Sequence, residues 1–488
     1  MSKKYHLQTF GCQMNKNDSE RITALLNSLG LKSVSDPSCA DLLLVNTCAV
    51  RQSAEDRVFG IIKNWQKFRI KKPNLIIAVT GCMPGRDKNG KIKNKIPGVD
   101  LWFGIDDLSQ LPKWLIGLSL IPLVCNSKQT ESLTDYLQIT PNRENKFQVF
   151  ISIQTGCNNF CTYCVVPTAR GRERNRKLVD ILAEVKEAVR QGAKEIILLG
   201  QVVNNYQASD IENFSASCPL LTKEGNKGRL VKDHFSALLW EINQIPGEFR
   251  IHFTAPDPQY FSNEQIEALT FPKQVNFLHL PAQSGDDEIL KKMNRHYTRA
   301  QYITLIKKIR QVKPDISLAT DIIVGFCGET KEQFKNTVDL YKQCDFDISY
   351  HAQYSERSGT TAVKMFKDDV LQSEKKRRWN ELQKIMLERT FQKNQKYQDK
   401  IVRVLVDNVR PLITSNDNSF VILSKAKDLD SSALPQNDNN DKNLVICTGN
   451  SDDMKLCQFL GSPDMVGTFQ KIKITQPLTW ILKGVISE

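Results

Sequence analysis

The sequence predicts an α/β protein in three parts: an N-terminal parallel α/β domain, a partial (β/α)6 barrel and a small all-β barrel at the C-terminus. Three observations predict it. Up to about residue 122, three apolar runs of strand length alternate with helical stretches. From Phe147 the alternation resumes with six more strand candidates, the rhythm of parallel sheets with helical crossovers. Beyond a long charged helix the runs become short and alternating, with no helical stretch between them, as in a small β module.

In the first part, Tyr5 to Thr9 alternates as a strand and runs into Gly11-Cys12. Asp41 to Asn46 ends at Thr47-Cys48, and Leu75 to Thr80 at Gly81-Cys82. Helices are expected over Ser19 to Leu29 and Ala54 to Phe68, so the three strands should be parallel neighbours. Open α/β sheets place ligands at the carboxyl ends of their strands. Cys12, Cys48 and Cys82 are therefore expected to converge as ligands of an iron-sulfur cluster with one vacant iron. The competing reading is three unrelated core thiols.

In the second part the strand candidates are Phe147 to Ile153, Glu195 to Leu199, Phe249 to Thr254, Val275 to Leu280, Ile316 to Val324 and Phe346 to Tyr354. Helices over Leu178 to Gln191, stopped by Gly192, and Thr298 to Gln311 separate them. Six such units make a partial barrel, whose active site belongs at the carboxyl face. There lies Cys157-Asn158-Asn159-Phe160-Cys161-Thr162-Tyr163-Cys164, a CxxxCxxC run. Three thiolates this close can hold three irons of a cubane and leave the fourth open. Structural zinc sites need a second ligand pair at a distance, and none follows Cys164. Three cysteines cannot all pair as disulfides, and the N-terminus has no apolar core of a secretion signal.

The polar stretch Ala208 to Asp233 reads as a surface insertion. A charged helix from Leu371 to Gln398 carries Lys375-Lys376-Arg377-Arg378 out of the barrel. In the tail, Ile401 to Val406, Leu444 to Thr448 and Phe469 to Ile474 read as strands, and Ser415 to Asn443, rich in Asn, Asp and Ser, as a disordered insertion.

The 488 residues are 40% hydrophobic and 25% charged, the composition of a soluble globular chain of several domains. Its formal charge of +13 favours an anionic partner, nucleic acid before membrane. The longest apolar stretch, Trp114 to Cys125, falls short of the ~20 residues that span a bilayer. The expected location is the cytoplasm, where the 13 cysteines stay reduced as ligands or core thiols. Cys39, Cys125, Cys218, Cys327, Cys344, Cys447 and Cys457 share no ligand spacing and read as core or surface thiols. His252, His279 and His351 fall within strands and are expected as hydrogen-bonded core histidines. Arg170, Arg172, Arg174, Arg176 and Lys177 follow the cysteine loop at once, a basic edge expected to meet RNA phosphates.

CxxxCxxC with an aromatic before its last Cys resembles the signature loop of the radical S-adenosylmethionine (SAM) enzymes. With the second triad and the β tail, the whole chain resembles the radical SAM methylthiotransferases. That resemblance implies an N-terminal iron-sulfur domain over residues 1–122, a radical SAM core over 143–390 and a TRAM-like RNA-binding domain over 393–486, with a polar insertion near 415–443. Thr9-Phe10-Gly11-Cys12-Gln13-Met14-Asn15 is similar to the tRNA-adenosine branch. So are Cys164-Val165-Val166-Pro167, Arg170-Gly171-Arg172-Glu173, His279 to Gly285, Met293-Asn294-Arg295 and Gly325 to Thr330. Departures are Val202 within Gly200-Gln201-Val202-Val203-Asn204, Asn175, Ala255-Pro256-Asp257-Pro258, Cys327 and Ser355 to Thr360; none removes a cluster ligand.

The resemblance implies two 4Fe-4S clusters and SAM. The cluster on Cys157, Cys161 and Cys164 would split SAM, and that on Cys12, Cys48 and Cys82 would supply sulfur. The product would be a 2-methylthio group on tRNA N6-isopentenyladenosine beside the anticodon. Gly200 and Gln201 would hold the methionine part of SAM, Gln283 and Ser284 its ribose, and Tyr163 would shape the adenine pocket. Expected partners are tRNA and an electron donor such as a flavodoxin or ferredoxin, with no membrane and a monomeric chain. Two alternatives stay open: the same chemistry on threonylcarbamoyladenosine or a ribosomal protein, and a non-catalytic iron-sulfur module that binds tRNA.

Overall fold

The structure is a computed structural model that describes residues 2–49, 52–122, 135–215, 217–219, 221–223, 229–411 and 444–487. Its first sheet contains β1 (Lys4–Phe10), β2 (Lys32–Ser33), β3 (Leu42–Thr47), β4 (Ile76–Gly81) and β5 (Leu101–Trp102), all parallel in the order β2-β1-β3-β4-β5. Alternate residues of the strands serve opposite faces. Leu42, Leu44, Ile76 and Ala78 pack with α1 (Gln13–Ser28) and α4 (Leu111–Gly117) on one side. Leu43, Val45, Ile77 and Val79 pack with α2 (Gln52–Gln66) on the other. Burial on both faces is why these strands are continuous apolar runs in the sequence. Tyr136, Leu137 and Ile139 complete the first of these cores, so it extends past the expected boundary at 122.

α1 begins at Gln13, directly after Cys12, six residues earlier than Ser19. Its first turns bury Asn15, Asn17 and Asp18 beside a single apolar side chain, Met14, so the apolar period starts only at Ile22 and hides the true beginning. A short α3 (Cys82–Arg86) follows β4.

In the second part, β6 (Gln148–Ser152) pairs in parallel with β9 (Glu195–Leu199), and β9 with β12 (Arg250–Phe253). β13 (Phe277–His279), β14 (Ser317–Val324) and β15 (Ile348–Gln353) continue in parallel. A bridge between Ile251 and Gln274 joins the two halves, giving the six-stranded partial barrel expected. β7 (Gln154–Thr155) and β8 (Arg174–Asn175) form a small hairpin that brackets the cysteine loop and α5 (Val166–Arg170). α6 (Leu178–Arg190), α7 (His234–Gln244), α8 (Asn263–Ala268), α9 (Asp287–Lys292), α10 (Arg299–Val312) and α11 (Lys331–Cys344) intervene among the strands. The short α12 (Thr361–Met365) and the long α13 (Gln372–Gln395) follow. Two cations of the basic run on α13 turn inward: Lys375 pairs with Asp368 at 2.6 Å and Arg378 with Glu329 at 2.6 Å.

Only part of Ala208 to Asp233 is a surface insertion. Ala208, Phe214, Cys218 and Val231 are buried in the barrel core, and Asp210 accepts from the Leu178 and Val179 N–H groups at 2.7 and 3.1 Å, capping α6. β10 (Leu221–Lys223) and β11 (Arg229–Val231) pair as an antiparallel hairpin. Capping aspartates look polar in sequence whether or not they are buried, which is why the segment reads as wholly exposed.

The tail closes as β16 (Ile401–Pro411), β17 (Val445–Ser451), β18 (Leu456–Gly461), β20 (Leu482–Ile486) and β19 (Phe469–Pro477), in that order around the barrel. β18 and β20 are two strands that the alternation does not single out. The insertion expected at Ser415 to Asn443 lies outside the described residues, as does Cys125. Cys39 is exposed; Cys218, Cys327, Cys344, Cys447 and Cys457 are buried. No described helix is long and apolar enough to cross a membrane.

The small barrel docks on the amino ends of the large barrel's strands. Buried Arg250, at the start of β12, pairs with Glu195 at the start of β9 and donates to the Asn450 and Ser451 carbonyls at 3.0 and 2.9 Å. Asp347, just before β15, is ion-paired with Lys455 at 3.1 Å and Lys393 at 3.2 Å. Burial raises the pKa of Asp347, but the two lysines outweigh it and hold the carboxyl below its ordinary range. The N-terminal domain instead packs α1 along β6: Met14 meets Phe150, Ile197 and Leu199, and Asn17 donates to the Phe150 carbonyl at 3.1 Å.

Candidate active site

Parallel registry puts Phe10 beside Thr47 and Thr47 beside Gly81, so β1, β3 and β4 end at one level. Cys12, Cys48 and Cys82 follow these ends directly. Buried polar residues brace them. Asn15 accepts from the Cys12 N–H at 3.3 Å and donates to the Asn46 side-chain oxygen at 3.2 Å, and Asn46 donates to the Ser19 hydroxyl at 2.9 Å. Gly81 carries φ +98°, and a Cβ there would lie 2.5 Å from both the Asn46 side chain and the Thr47 carbonyl, so the turn into Cys82 needs glycine. Cys12 is exposed, whereas Cys48 and Cys82 are buried.

The other triad lies on the loop after β6. Cys157 accepts from the Asn159 N–H at 3.4 Å, Cys164 from the Val166 N–H at 3.4 Å, and Cys161 from Arg295 Nη1 at 3.2 Å. Burial pushes the Cys157 thiol up to about 11 and Cys164 up to about 12. Such thiols ionise when a metal displaces their protons. Behind the loop, Arg295 pairs with Asp257 at 2.9 Å, Asn159 donates to Asp257 at 2.8 Å, and Tyr260 donates to Asn159 at 2.8 Å. Sequence reasoning gives this Asp257 network no role. Asp257 lies in the loop after β12 and Arg295 between α9 and α10, so no local spacing signals the pair.

Both triads suit iron-sulfur clusters. Each offers three thiols and, among the described residues, no fourth cysteine, and N–H donors to sulfur accompany the loop triad. Among the described residues no group of three ligating side chains is gathered as a mononuclear ion would require. A cubane differs, because each iron takes its own thiolate and the thiols stand apart.

The two sites share one interface. α3, which starts at Cys82, packs on α5, so that Cys82 meets Val165 and Ala169 just beyond Cys164. The helices meet backbone to backbone: a Cβ on Gly85 would run into the Ala169 carbonyl. The loop after β15 closes the same side, with Arg86 donating to the Ser358 carbonyl at 3.0 Å.

The remaining expected site residues separate into groups. Gly200 lies against Gln154, and the Gln201 side-chain oxygen is buried with no hydrogen-bond partner among the described residues, as an unfilled ligand contact would be. Gln283 takes φ +64° beside β14. Ser284 is buried and its hydroxyl accepts from the Asp286 N–H at 3.3 Å. Tyr163 packs in an apolar cluster with Met293, Phe326 and Tyr354. Of the basic edge, Arg172 and Lys177 are exposed, with Arg172 stacked 4.6 Å above Phe160. Arg174, also exposed, pairs with Asp106 at 2.5 Å.

Two members are not at the surface. Arg170 is buried against Asp18 and Cys82, and Arg176 is mostly buried, bonded to Glu184 at 2.7 Å and the Ser152 carbonyl at 2.8 Å. The run is basic for two reasons, domain contact and surface charge, which composition does not separate. His252 also departs from expectation: both ring nitrogens are buried without a partner among the described residues. His279 Nε2 lies 3.1 Å from Asp321 Oδ1, and His351 Nε2 lies 2.7 Å from the Ser349 hydroxyl.

Residues 4–104 match the family model described as "Uncharacterized protein family UPF0004", and residues 151–341 match that of the radical SAM superfamily. The chain is 36% identical over 487 residues to the tRNA-2-methylthio-N(6)-dimethylallyladenosine synthase of Clostridium tetani (strain Massachusetts / E88), covering 98% of this chain and 95% of that protein. It is 37% identical to the synthase of the same name from Thermoanaerobacter sp. (strain X514), over 99% and 93% of the two chains. A solved structure of the radical SAM methyltransferase TsrM from Kitasatospora setae, with cobalamin and a 4Fe-4S cluster bound, is similar with TM-score 0.52 at 14% identity, covering 74% of each chain. At that identity the likeness is one of fold.

Proposed function

The chain belongs to the tRNA-2-methylthio-N(6)-dimethylallyladenosine synthases, and we propose that its two cysteine triads divide the reaction of that family between them. It is a radical SAM methylthiotransferase that places a methylthio group on adenine C2 of tRNA N6-isopentenyladenosine beside the anticodon. Bound 4Fe-4S clusters and SAM supply one-electron chemistry, which the reaction needs because no acid or base removes an unactivated ring hydrogen at neutral pH.

The chain's own residues hold and aim that chemistry. Cys157, Cys161 and Cys164 would hold the cluster that cleaves SAM, and the Asn159 and Val166 N–H groups and Arg295, which already donate to their sulfurs, would offset the charge there. Asp257 fixes Arg295 from behind. Cys12, Cys48 and Cys82 would hold the sulfur-supplying cluster. Gly200, Gln201 and Gln283 line the SAM site, and Arg172 and Lys177 meet RNA phosphates. A flavodoxin or ferredoxin would deliver the electron. The target base must leave its stack to reach either site.

The observation that carries this reading is the α3–α5 packing, which sets Cys82 beside the segment that follows Cys164. A sulfur source and a radical source so near each other suit one acceptor atom. The test is mass spectrometry of tRNA nucleosides from a strain lacking the protein, complemented with the intact chain or with either triad changed to alanine. Only the intact chain should restore the 2-methylthio nucleoside, and its persistence in the deletion strain would refute the reading. Reconstituted protein should hold about eight irons, and each triad variant about four.

A further inference from the structure

The cations nearest the Cys12, Cys48 and Cys82 site include two that come from the barrel. Arg357, on the loop after β15, lies within charge range of Cys48 and Glu55. Arg170, the last residue of α5, reaches further in. Its side chain is 2% exposed, its Nη2 lies 2.6 Å from Asp18 Oδ2, and its Nε donates to Cys82 Sγ at 3.2 Å. Asp18 is fully buried, six residues beyond Cys12 on α1.

One part of this pair is unused. Arg170 Nη1 and Asp18 Oδ1 are both buried, and neither has a hydrogen-bond partner among the described residues. Guanidinium nitrogens only donate, and a buried polar atom left without a partner is a standing cost that a bound group relieves. Arg170 Nη1 calls for an acceptor and Asp18 Oδ1 for a donor, and beside three thiols hydrosulfide offers both, a sulfur lone pair and one S–H.

We infer that Arg170 is a positioning residue of the sulfur-supplying site, brought by the barrel, held by Asp18, and donating both to the Cys82 thiolate and to the sulfur carried there. The inference rests on the reading of Cys12, Cys48 and Cys82 as a cluster site. It adds that this site is completed only when the barrel is docked. A donor on a ligating sulfur stabilises the reduced, more negative state of a cluster, so Arg170 raises its potential.

The test starts from the chain carrying Cys157→Ala, Cys161→Ala and Cys164→Ala, reconstituted with iron and sulfide, so that only this site can hold a cluster. Absence of iron there would sink the underlying cysteine assignment and leave Arg170 nothing to position. With iron present, Arg170→Gln should lower the midpoint potential by a tenfold shift in the one-electron equilibrium, about 59 mV. It should also weaken the binding of added sodium hydrosulfide, followed by the electron paramagnetic resonance signal, about tenfold. Arg170→Lys should recover most of both effects, which a purely structural side chain would not explain. Asp18→Asn removes the opposing charge and should move the potential upward. Iron-replete Arg170→Gln protein with unchanged potential and hydrosulfide affinity overturns the inference. If Arg170→Gln fails to retain iron, Asp18→Asn decides, and an unmoved or lowered potential overturns it.

Discussion

Replacing Gly85 by alanine should uncouple the two halves of the reaction. Gly85 of α3 lies against the backbone of Ala169 on α5, and an added Cβ would fall 3.1 Å from the Ala169 carbonyl carbon and closer still to its oxygen. Gly104 closes the other side, with its own Cβ position 3.3 Å from Gly85 Cα. Neither neighbour is a side chain that could swing away, so the helices must part by at least about 1 Å to reach ordinary van der Waals separation. Overpacking of this kind costs about 1–3 kcal/mol. Taken from the docked arrangement, that is a shift of about 5- to 150-fold against it. The hydrogen bond of 3.2 Å from Arg170 to Cys82 spans the same seam and would break with it. The barrel's own triad is braced from elsewhere, by Arg295, Asp257 and Asn159, and should be untouched. The assay compares two products in one reaction: 5′-deoxyadenosine from SAM cleavage and methylthiolated nucleoside from tRNA. Gly85→Ala should keep the first within about twofold and reduce the second at least about fivefold. Equal loss of both products, or loss of neither, would refute the argument that this seam joins the sites.

Other consequences follow from buried charge and exposed base. Arg250→Met strands the fully buried Glu195 and should cost about 3–5 kcal/mol, seen as faster hydrogen exchange in residues 444–487; adding Glu195→Gln should recover most of it. Burial lowers His252 to about 4, so it stays neutral in the folded chain while the unfolded chain takes up a proton below about 6.5. Stability should therefore be complete above pH 6.5 and fall by about 3 kcal/mol as the pH drops to 4, and His252→Phe should flatten that slope in urea titrations. Arg172→Ala with Lys177→Ala should weaken tRNA binding and reduce the salt slope by roughly 0.7–0.9 for each phosphate left unneutralised, whereas a conservative change at buried Arg176 should leave the slope alone.

The pattern of legible and illegible features has a physical cause. Cys12, Cys48 and Cys82 are readable because each directly follows an apolar run, and strand registry alone then brings them level. Cys157, Cys161 and Cys164 lie on one loop and announce themselves by spacing. Arg170 is misread because its partner Asp18 lies 152 residues away, and a buried arginine looks like a surface one in a basic run. The Asp257 to Arg295 pair escapes for the same reason, and the tail's docking through Arg250 depends on carbonyls 200 residues distant. Apolar periodicity is local, whereas pairing of buried charges is not. The early start of α1 shows the converse, a helix whose first turns are buried but mostly polar.

The small β barrel grips the large one where its strands begin, while both cysteine triads lie where strands end. Strands of five to eight residues set these two ends roughly 17–26 Å apart. An isolated nucleoside is too small to touch both. A partner that touches both ends must run along the flank of the large barrel for at least that distance.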